Sequence, residues 1–328
     1  MMGTASPHFD RWSWAGRELW RQVFLRLGQK FRLRFAPSCG HLDCLNTKGP
    51  WRRLRYQPRG VLIQGLLYCA DGCTERALTE ALRRLSSASQ RASAPHRVPL
   101  GLLLLSRQQL TPHQLSTVLE AQRRAGRGRI GEWFLALGFA NEQQVTAALA
   151  RQWSCPVLRA SFLAAGTATE RRGRGPQIPL NLLEAFAMIP VDYVETTATL
   201  HVAFGEGIDY GVLYAIEQML GCRTEFCMAV PSLVRQRLQA MSGPRAETEV
   251  LFDRVTDAAE FSRIVCSYCV RLSATEIRLS ACGPHLWVRL LIPSRAPLDL
   301  LFRSLQPASS QSSAHGSASL ASTLRPAV

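Results

Sequence analysis

Residues 129–152 read RIGEWFLALGFANEQQVTAALARQ. Within this stretch Ile130 and Phe134 lie four residues apart, as apolar residues on one face of a helix do. Gly138 then interrupts the pattern in the way that a glycine ends a helix, and Asn141 is a good N-terminal cap for a second helix. The stretch therefore predicts a helix, a glycine turn and a second helix.

The same pattern occurs earlier in the chain. Residues 99–122 read PLGLLLLSRQQLTPHQLSTVLEAQ and align with residues 129–152 without a gap at an offset of about thirty, within the range of structural repeats. Glycines, apolar residues, capping residues and closing glutamines coincide: Gly101 with Gly131, Leu104 with Phe134, Thr111 with Asn141, Leu115 with Val145, and Gln122 with Gln152. The sequence thus predicts two copies of one helical hairpin, joined by the basic, flexible segment 123–128.

An arginine and a glycine begin the second hairpin. Arg129 and Gly131 stand at the start of the second copy, where unpaired backbone N–H groups favour an anion. Guanidinium groups suit phosphates, whereas apolar or guanidinium faces suit flat purines. We therefore expect a groove that holds a nucleotide. The simpler alternative is a repeated hairpin whose leucines fill a core and whose glutamines act as caps.

The repeated frame resembles the cyclic di-GMP-binding motif of MshEN domains, the N-terminal domains of type II secretion and type IV pilus assembly ATPases of the GspE type. The frame is Arg, Leu or Ile, and Gly, followed by a glycine seven residues on and by a closing glutamine. The second copy matches closely, whereas Pro99 replaces the arginine and Gln108 the glycine of the first copy. The resemblance extends from about residue 99 to residue 242.

The resemblance implies a set of residues around cyclic di-GMP. They are Gly101, Gln122, Arg123, Arg124, Arg127, Arg129, Gly131, Gly138 and Gln152. The arginines would meet phosphate and the glycines would let the backbone approach the ligand. The glutamines would fix the hairpins or touch a guanine edge.

Four cysteines nearer the N-terminus have the pattern of metal ligands. Cys39 and Cys44 are five residues apart, while Cys69 and Cys73 are four apart and follow the strand-like run 61–68. The second pair leads into a helical segment. Two such pairs resemble a treble-clef or TRASH-like zinc module, in which four thiolates form a closed, structural site.

Two alternatives for these cysteines stay open. His41, which lies between the first two, could replace one cysteine ligand. Four unrelated cysteines in a basic segment are the simpler interpretation.

The expected fold class is α+β: a helical-hairpin repeat followed by a small α/β sandwich, with a small N-terminal zinc-type module and a C-terminal α/β piece. The expected divisions are a basic, aromatic helix (1–36), the zinc module (37–85), a linker (86–98), the MshEN-like domain (99–242), a small α/β subdomain (250–303) and a disordered tail (306–328). Within the last subdomain the pattern predicts one helix, with Val270 on its apolar face, and two strands.

Composition and motifs argue against nucleic-acid binding, ATPase activity and a membrane span. The chain has 328 residues and a net charge of +15, but it has no RNA-binding or DNA-binding signature. Its only lysines, Lys30 and Lys48, are not in a phosphate-binding loop, so we expect neither the ATPase motor of the family nor an enzyme. Since no apolar run reaches about twenty residues, we expect no transmembrane span and a cytoplasmic location.

Three functional hypotheses follow. The first is a non-enzymatic sensor or adaptor that binds cyclic di-GMP, a partner in a secretion or pilus apparatus, or both. The second is a protein–protein interaction module that has the same fold and no nucleotide ligand. The third is a thiol oxidoreductase that uses Cys266 and Cys269, which form a C-x-x-C pair on a predicted helix.

Overall fold

The computed structural model describes residues 39–41, 43–44, 60–89, 97–164, 175–241, 248–253, 255 and 257–303. The chain divides into two compact units, Met1–Thr74 and Glu75–Val328. The expected N-terminal helix (1–36), most of the expected linker (86–98) and the expected tail (306–328) lie outside the described residues.

The first unit contains a short β-hairpin. Strands β1 (Val61–Ile63) and β2 (Leu66–Tyr68) pair antiparallel. Gln64 and Gly65 connect them, and both have positive φ angles, of 50° and 86°, as in the two-residue turns that match the twist of paired strands. The interpretation of residues 61–68 as one strand-like run was therefore wrong, because Gly65 permits a reversal there. Helix α1 (Asp71–Ser89) follows.

The predicted hairpin repeat is present in the second unit. The first copy consists of α2 (Leu100–Ser106) and α3 (Pro112–Ala125), and the second consists of α4 (Ile130–Ala136) and α5 (Glu142–Gln152). The longer helix of each copy begins with a capping box, in which a capping side chain and the glutamine three residues later exchange hydrogen bonds with each other's backbone. These boxes are formed by Thr111 with Gln114 and by Asn141 with Gln144.

Equivalent residues of the two hairpins are buried alike. Leu104 and Phe134, which are equivalent in the two copies, are both fully buried. Val118 and Ala148 are equally buried and also equivalent. These residues belong to one hydrophobic cluster, so the two hairpins share a core and neither buries its apolar face alone.

An α/β part follows the hairpins, where the sequence predicts a small α/β sandwich. It comprises α6 (Ala160–Ala164), α7 (Leu180–Ala185), β3 (Met188–Val194), β4 (Thr199–Phe204), α8 (Tyr210–Leu220), β5 (Arg223–Met228) and α9 (Pro231–Met241). Strand β4 is central, since it pairs antiparallel with β3 and parallel with β5. Helix α8 is the crossover that the parallel pair requires. It is capped at its start by Asp209, whose carboxylate accepts from Gly211 N, and at its end by Gly221.

The C-terminal part has more strands than the sequence predicts. It comprises β6 (Glu249–Phe252), α10 (Ala258–Leu272), β7 (Glu276–Cys282), β8 (His285–Leu291) and β9 (Leu298–Arg303). Strands β7, β8, β9 and β6 are neighbours in that order, and β6 runs parallel to β9. Strands β6 and β9 were missed because one is short and the other is a nearly continuous apolar run whose period is ambiguous.

A buried ion pair joins β8 and β9. Arg289 Nε and Nη2 donate to the two carboxylate oxygens of Asp299 at 2.8 and 2.7 Å, and Trp287 Nε1 donates to Asp299 Oδ1 at 2.8 Å. Arg289 Nη2 also donates to the carbonyl of Gln177. Since both charged side chains are only 6% exposed, these bonds offset the cost of removing two charges from water.

The C-x-x-C pair lies on α10. Cys266 and Cys269 are both buried there, as are Phe261 and Val265 of the same helix. Val270, which the sequence pattern placed on the apolar face, is 63% exposed. Among the described residues, no helix is both long and apolar enough to cross a membrane.

The backbone at Gln108 can be used to test whether the first copy keeps the turn conformation of the second. It adopts φ of 56°, and its equivalent in the second copy is Gly138 at 68°. Because a side chain in this conformation is strained, we expect Gln108→Gly to raise the free energy of unfolding by about 0.5 kcal/mol, the strain being partly offset by unfolded-chain entropy. Urea unfolding would measure the change.

The matched control is Gln143→Gly, the same chemical change in the right-handed backbone of α5. It should lower the free energy of unfolding by about 0.5 kcal/mol, because glycine is a poorer helix former than glutamine. Equal effects of the two variants would contradict the assignment of strain to position 108.

Candidate functional site

Two reciprocal hydrogen bonds hold the hairpins together. Gln122 Nε2, at the end of the first copy, donates to the carbonyl of Gly128, just before the second copy, at 2.9 Å. Gln152 Nε2, at the end of the second copy, donates to the carbonyl of Val98, just before the first copy, at 2.6 Å. Because Gly128 and Val98 also differ by thirty positions, the two bonds are equivalent. Each closing glutamine fixes the segment that leads into the other hairpin.

The motif glycines allow close packing of helices. A Cβ atom at Gly101 would lie 2.6 Å from Leu115 Cδ1, so the Leu115 side chain would have to move. At Gly131 a Cβ would lie 3.4 Å from Val145 Cγ1, the equivalent neighbour. Gly138 has a positive φ and no neighbour within 4 Å of a Cβ, so it serves the turn between α4 and α5.

Arg129 extends from the hairpins toward the α/β part. It is the N-cap residue of α4, and its backbone N–H already donates to the Glu132 carboxylate at 3.2 Å. Its guanidinium Nη1 donates to Glu206 Oε2 at 2.7 Å, in the loop after β4. The side chains of Arg129 and Glu206 are 65% and 48% exposed. An anion could therefore reach this guanidinium from solvent if it displaced Glu206.

The three other arginines of the expected ligand set lie in or beside the joining segment and are exposed. Arg124 pairs with Glu120 one helical turn earlier, at 3.1 Å. Arg123 and Arg127 lie on either side of it in sequence, and the carbonyl of Arg127 accepts from Trp133 Nε1 at 3.1 Å. Arg129 is thus the member of this group whose side chain contacts the α/β part through a described hydrogen bond.

A further arginine belongs to this surface and was missed in the sequence. The guanidinium carbon of Arg97 lies 3.2 Å from the ring centroid of Trp153 and 5.9 Å from that of Tyr210. The Trp153 and Tyr210 rings are 5.7 Å apart. Arg97 lies thirty residues before Arg127 and Trp153 directly follows Gln152, so the repeat frame itself contained the signal.

These residues form one contiguous surface. Gly207 follows Glu206 in sequence, and a Cβ atom at Gly207 would lie 3.9 Å from Trp153 Cζ2. The loop 205–207 therefore lies between Arg129 and the Arg97–Trp153 stack. We call the set Arg97, Arg129, Trp153, Glu206 and Tyr210 the guanidinium surface. It combines two cations, flat rings and one carboxylate, which is chemistry that suits a phosphate-bearing purine ligand.

The four N-terminal cysteines meet in the first unit. The sulfur atoms of Cys39, Cys44, Cys69 and Cys73 all lie within 4.8 Å of one another, and those of Cys44 and Cys69 are 3.3 Å apart. Cys44 and Cys69 are buried, whereas Cys39 and Cys73 are partly buried. Four cysteines in this arrangement could hold a metal ion. We call this set the cysteine cluster.

Local backbone structure positions both cysteine pairs. The N–H of Cys44 donates to the carbonyl of His41, which closes a turn after Cys39, and the N–H of Cys73 donates to that of Ala70. Cys69 directly follows β2 and Cys73 lies in the first turn of α1. A turn with two cysteines, a β-hairpin and a helix start thus bring the four sulfur atoms together.

The thiols also affect each other. Burial, followed by the neighbouring thiols of Cys44 and Cys39, raises the pKa of Cys73 to about 12. His41 Nδ1 accepts from the backbone N–H of Asp43 at 3.2 Å, so one of its ring nitrogens is engaged within the turn.

The dimensions of the cluster fit a tetrahedral ion. Zinc–sulfur bonds of about 2.3 Å place the four sulfur atoms of a tetrahedron about 3.8 Å apart. The observed spread, with 3.3 Å at one pair and a limit of 4.8 Å, brackets that spacing. A disulfide has about 2.05 Å between its sulfur atoms. The 3.3 Å between the sulfur atoms of Cys44 and Cys69 is longer, so these two residues do not form one.

Comparison with known proteins gives solved structures only. The structure of MshE with cdg (cyclic di-GMP) matches with 26% identity and a TM-score of 0.37, covering 44% of this chain and 99% of that one. The N-terminal domain of XpsE matches with 16% identity and a TM-score of 0.33, covering 43% and 91%. No family model and no curated protein matches. Each of these two matches covers less than half of this chain.

Proposed function

We propose that this protein is a non-enzymatic sensor or adaptor that binds cyclic di-GMP at the paired hairpins. The observation that carries the proposal is the guanidinium of Arg129, which is 65% exposed and, among the described residues, pairs with an exposed carboxylate. Cyclic di-GMP has two phosphates and two purines, and a guanidinium donates two parallel hydrogen bonds to a phosphate. The cytoplasmic location expected from the sequence is part of this proposal.

The hairpin pair supports the proposal by its rigidity. The reciprocal glutamine bonds and the close contacts at Gly101 and Gly131 fix the start of each hairpin before any ligand arrives. A preorganised site loses less entropy when it binds. In this arrangement Gln122 and Gln152 position the hairpins, since one amide N–H of each is already donated to a backbone carbonyl.

A protein–protein interaction module is the second candidate. It is favoured by Pro99, which places no guanidinium at the N-cap of α2. In that case the same surface would bind an acidic segment of a secretion or pilus component. Binding of cyclic di-GMP separates the two candidates directly.

Arg129→Ala tests the first candidate. We expect wild-type protein to bind cyclic di-GMP in isothermal titration calorimetry and the variant to bind at least about tenfold more weakly, because one charge-assisted contact contributes about 1.5–3 kcal/mol. Arg159→Ala, which removes another exposed arginine outside the hairpins, is the control and should bind normally. Wild-type protein that gives no binding heat at tens of micromolar ligand would reject the proposal.

Glu206→Gln tests whether ligand and carboxylate compete. The variant keeps the size of the side chain but removes the charge that pairs with Arg129. Because exposed ion pairs contribute up to about 1 kcal/mol, we expect cyclic di-GMP to bind about two- to fivefold more tightly. Glu142→Gln, which removes a carboxylate paired with Arg235 on α9, should leave affinity unchanged. Weaker binding by Glu206→Gln would instead show that the carboxylate contacts the ligand.

We propose, second, that the cysteine cluster holds a structural zinc ion. Four thiolate ligands close the tetrahedron and leave no position for substrate, so such an ion stabilises the fold and does not catalyse a reaction. The ion would join the turn that contains Cys39 and Cys44 to the start of α1. The four sulfur atoms are already gathered to within the spread given above.

Metal analysis tests this second proposal. Purified wild-type protein should contain about one zinc per chain, and Cys39→Ser and Cys73→Ser should each lose it and unfold at lower temperature. Cys227→Ser is the control because Cys227 lies on β5, in the other unit. Folded wild-type protein that is free of metal, and that binds none when zinc is added, would contradict the assignment.

A further inference from the structure

The segment just before the first hairpin carries a guanidinium, although not at the motif position. Pro99 is the N-cap residue of α2, where the second copy has Arg129 at the start of α4. Pro99 has no side-chain donor. Two residues earlier, Arg97 lies with its guanidinium carbon 3.2 Å from the centroid of the Trp153 ring. This distance is that of a flat stack, in which the planar group covers the ring and keeps its N–H groups at the edge.

The repeat itself determines where Arg97 lies. Gln152 donates to the carbonyl of Val98 at 2.6 Å, so the backbone next to Arg97 is tied to the end of α5. Trp153 is the next residue after that glutamine and is the C-cap residue of α5. One hydrogen bond therefore brings the arginine and its aromatic support together. Tyr210, at the start of α8, borders the stack, with 5.9 Å between its ring centroid and the guanidinium carbon.

Arg97 and Arg129 border the same loop. Arg129 contacts Glu206 at 2.7 Å, and the neighbouring Gly207 approaches Trp153, with 3.9 Å between a Cβ built there and Cζ2. Within the part of the chain that the structure describes, Arg97 has no carboxylate partner, in contrast to Arg129. Among these described residues its guanidinium contacts the faces of two rings, which attract a cation weakly at a partly exposed site.

We propose that Arg97 is a second ligand-contacting guanidinium, which supplies from the segment before the first hairpin the cation that Pro99 cannot supply. The inference rests on the proposed function, namely binding of a cyclic dinucleotide. Such a ligand carries two phosphates, and Arg97 and Arg129 provide one guanidinium for each. Trp153 is a positioning residue, because it holds the plane of Arg97 so that the N–H edge faces the ligand.

Calorimetric titration of the full chain with cyclic di-GMP tests the proposal. We expect Arg97→Ala to weaken binding about tenfold or more, as loss of a charge-assisted contact does. Arg97→Lys should recover part of the affinity, since it keeps the charge but loses the planar fork. Trp153→Leu should also weaken binding, because the plane of the guanidinium is no longer fixed. In the Trp153→Leu background, Arg97→Lys should cause no further loss.

The matched control is Arg271→Ala. Arg271 also lies over an aromatic ring, that of Tyr268 at 4.4 Å, but on α10 of the C-terminal part. The Arg271→Ala variant should bind cyclic di-GMP like wild type. Melting temperatures of all variants distinguish lost packing from lost ligand contact. If Arg97→Ala is poorly folded, Arg97→Lys replaces it as the test variant.

The outcomes separate this inference from the proposed function. If wild type binds, Arg129→Ala weakens binding and Arg97→Ala changes it less than about twofold, Arg97 only packs the loop and the inference is overturned while the proposed function stands. If Arg97→Ala and Arg271→Ala weaken binding equally, the effect is unspecific and the inference is also overturned. If wild type binds no cyclic di-GMP, the proposed function fails and the inference fails with it.

Discussion

The paired glutamine–carbonyl hydrogen bonds are the contacts on which the candidate site depends. Each one takes a side chain from the end of one hairpin and a carbonyl from the segment just before the other. The bonds are therefore mutual, and losing either one would release the segment that leads into a hairpin. At Gly101 and Gly131 the absence of a side chain leaves room for Leu115 and Val145 of the following helix. Local geometry at the guanidinium surface is a result of this packing and not of the surface residues alone.

At that surface Arg129 can pair either with the carboxylate of Glu206 or with an anion from solution. Glu206 neutralises Arg129 in the structure, and both groups remain largely in contact with water. A pair in such a setting is weak, so a ligand with several negative oxygens can replace the carboxylate at small cost. The buried ion pair of Arg289 and Asp299 shows the opposite case within the same chain. Separating Arg289 from Asp299 would leave an unpaired charge buried, which is costly. Arg129 is exposed, so it can leave Glu206 and pair with another anion.

Local patterns predicted the repeat well and long-range contacts poorly. Thr111 and Asn141 revealed the helix starts, since capping depends on residues three positions apart. The turn at Gln108 also followed from alignment with Gly138, because backbone conformation is a local property. By contrast, nothing in the periodicity connects Arg129 with Glu206, which lies 77 residues away. The clustering of four cysteines was predicted from spacing, but only the fold could bring the two pairs within reach of one ion.

The bond between Arg289 and Asp299 has a consequence for how this sequence can diverge. Each of the two charges is buried, and each is satisfied by the other together with Trp287 and the carbonyl of Gln177. A single replacement would strand the remaining charge, at a cost of about 3–5 kcal/mol, while an apolar pair of similar volume could be nearly neutral. The two positions are therefore expected to evolve together: homologues should keep both charges or neither, and intermediates with one should be rare.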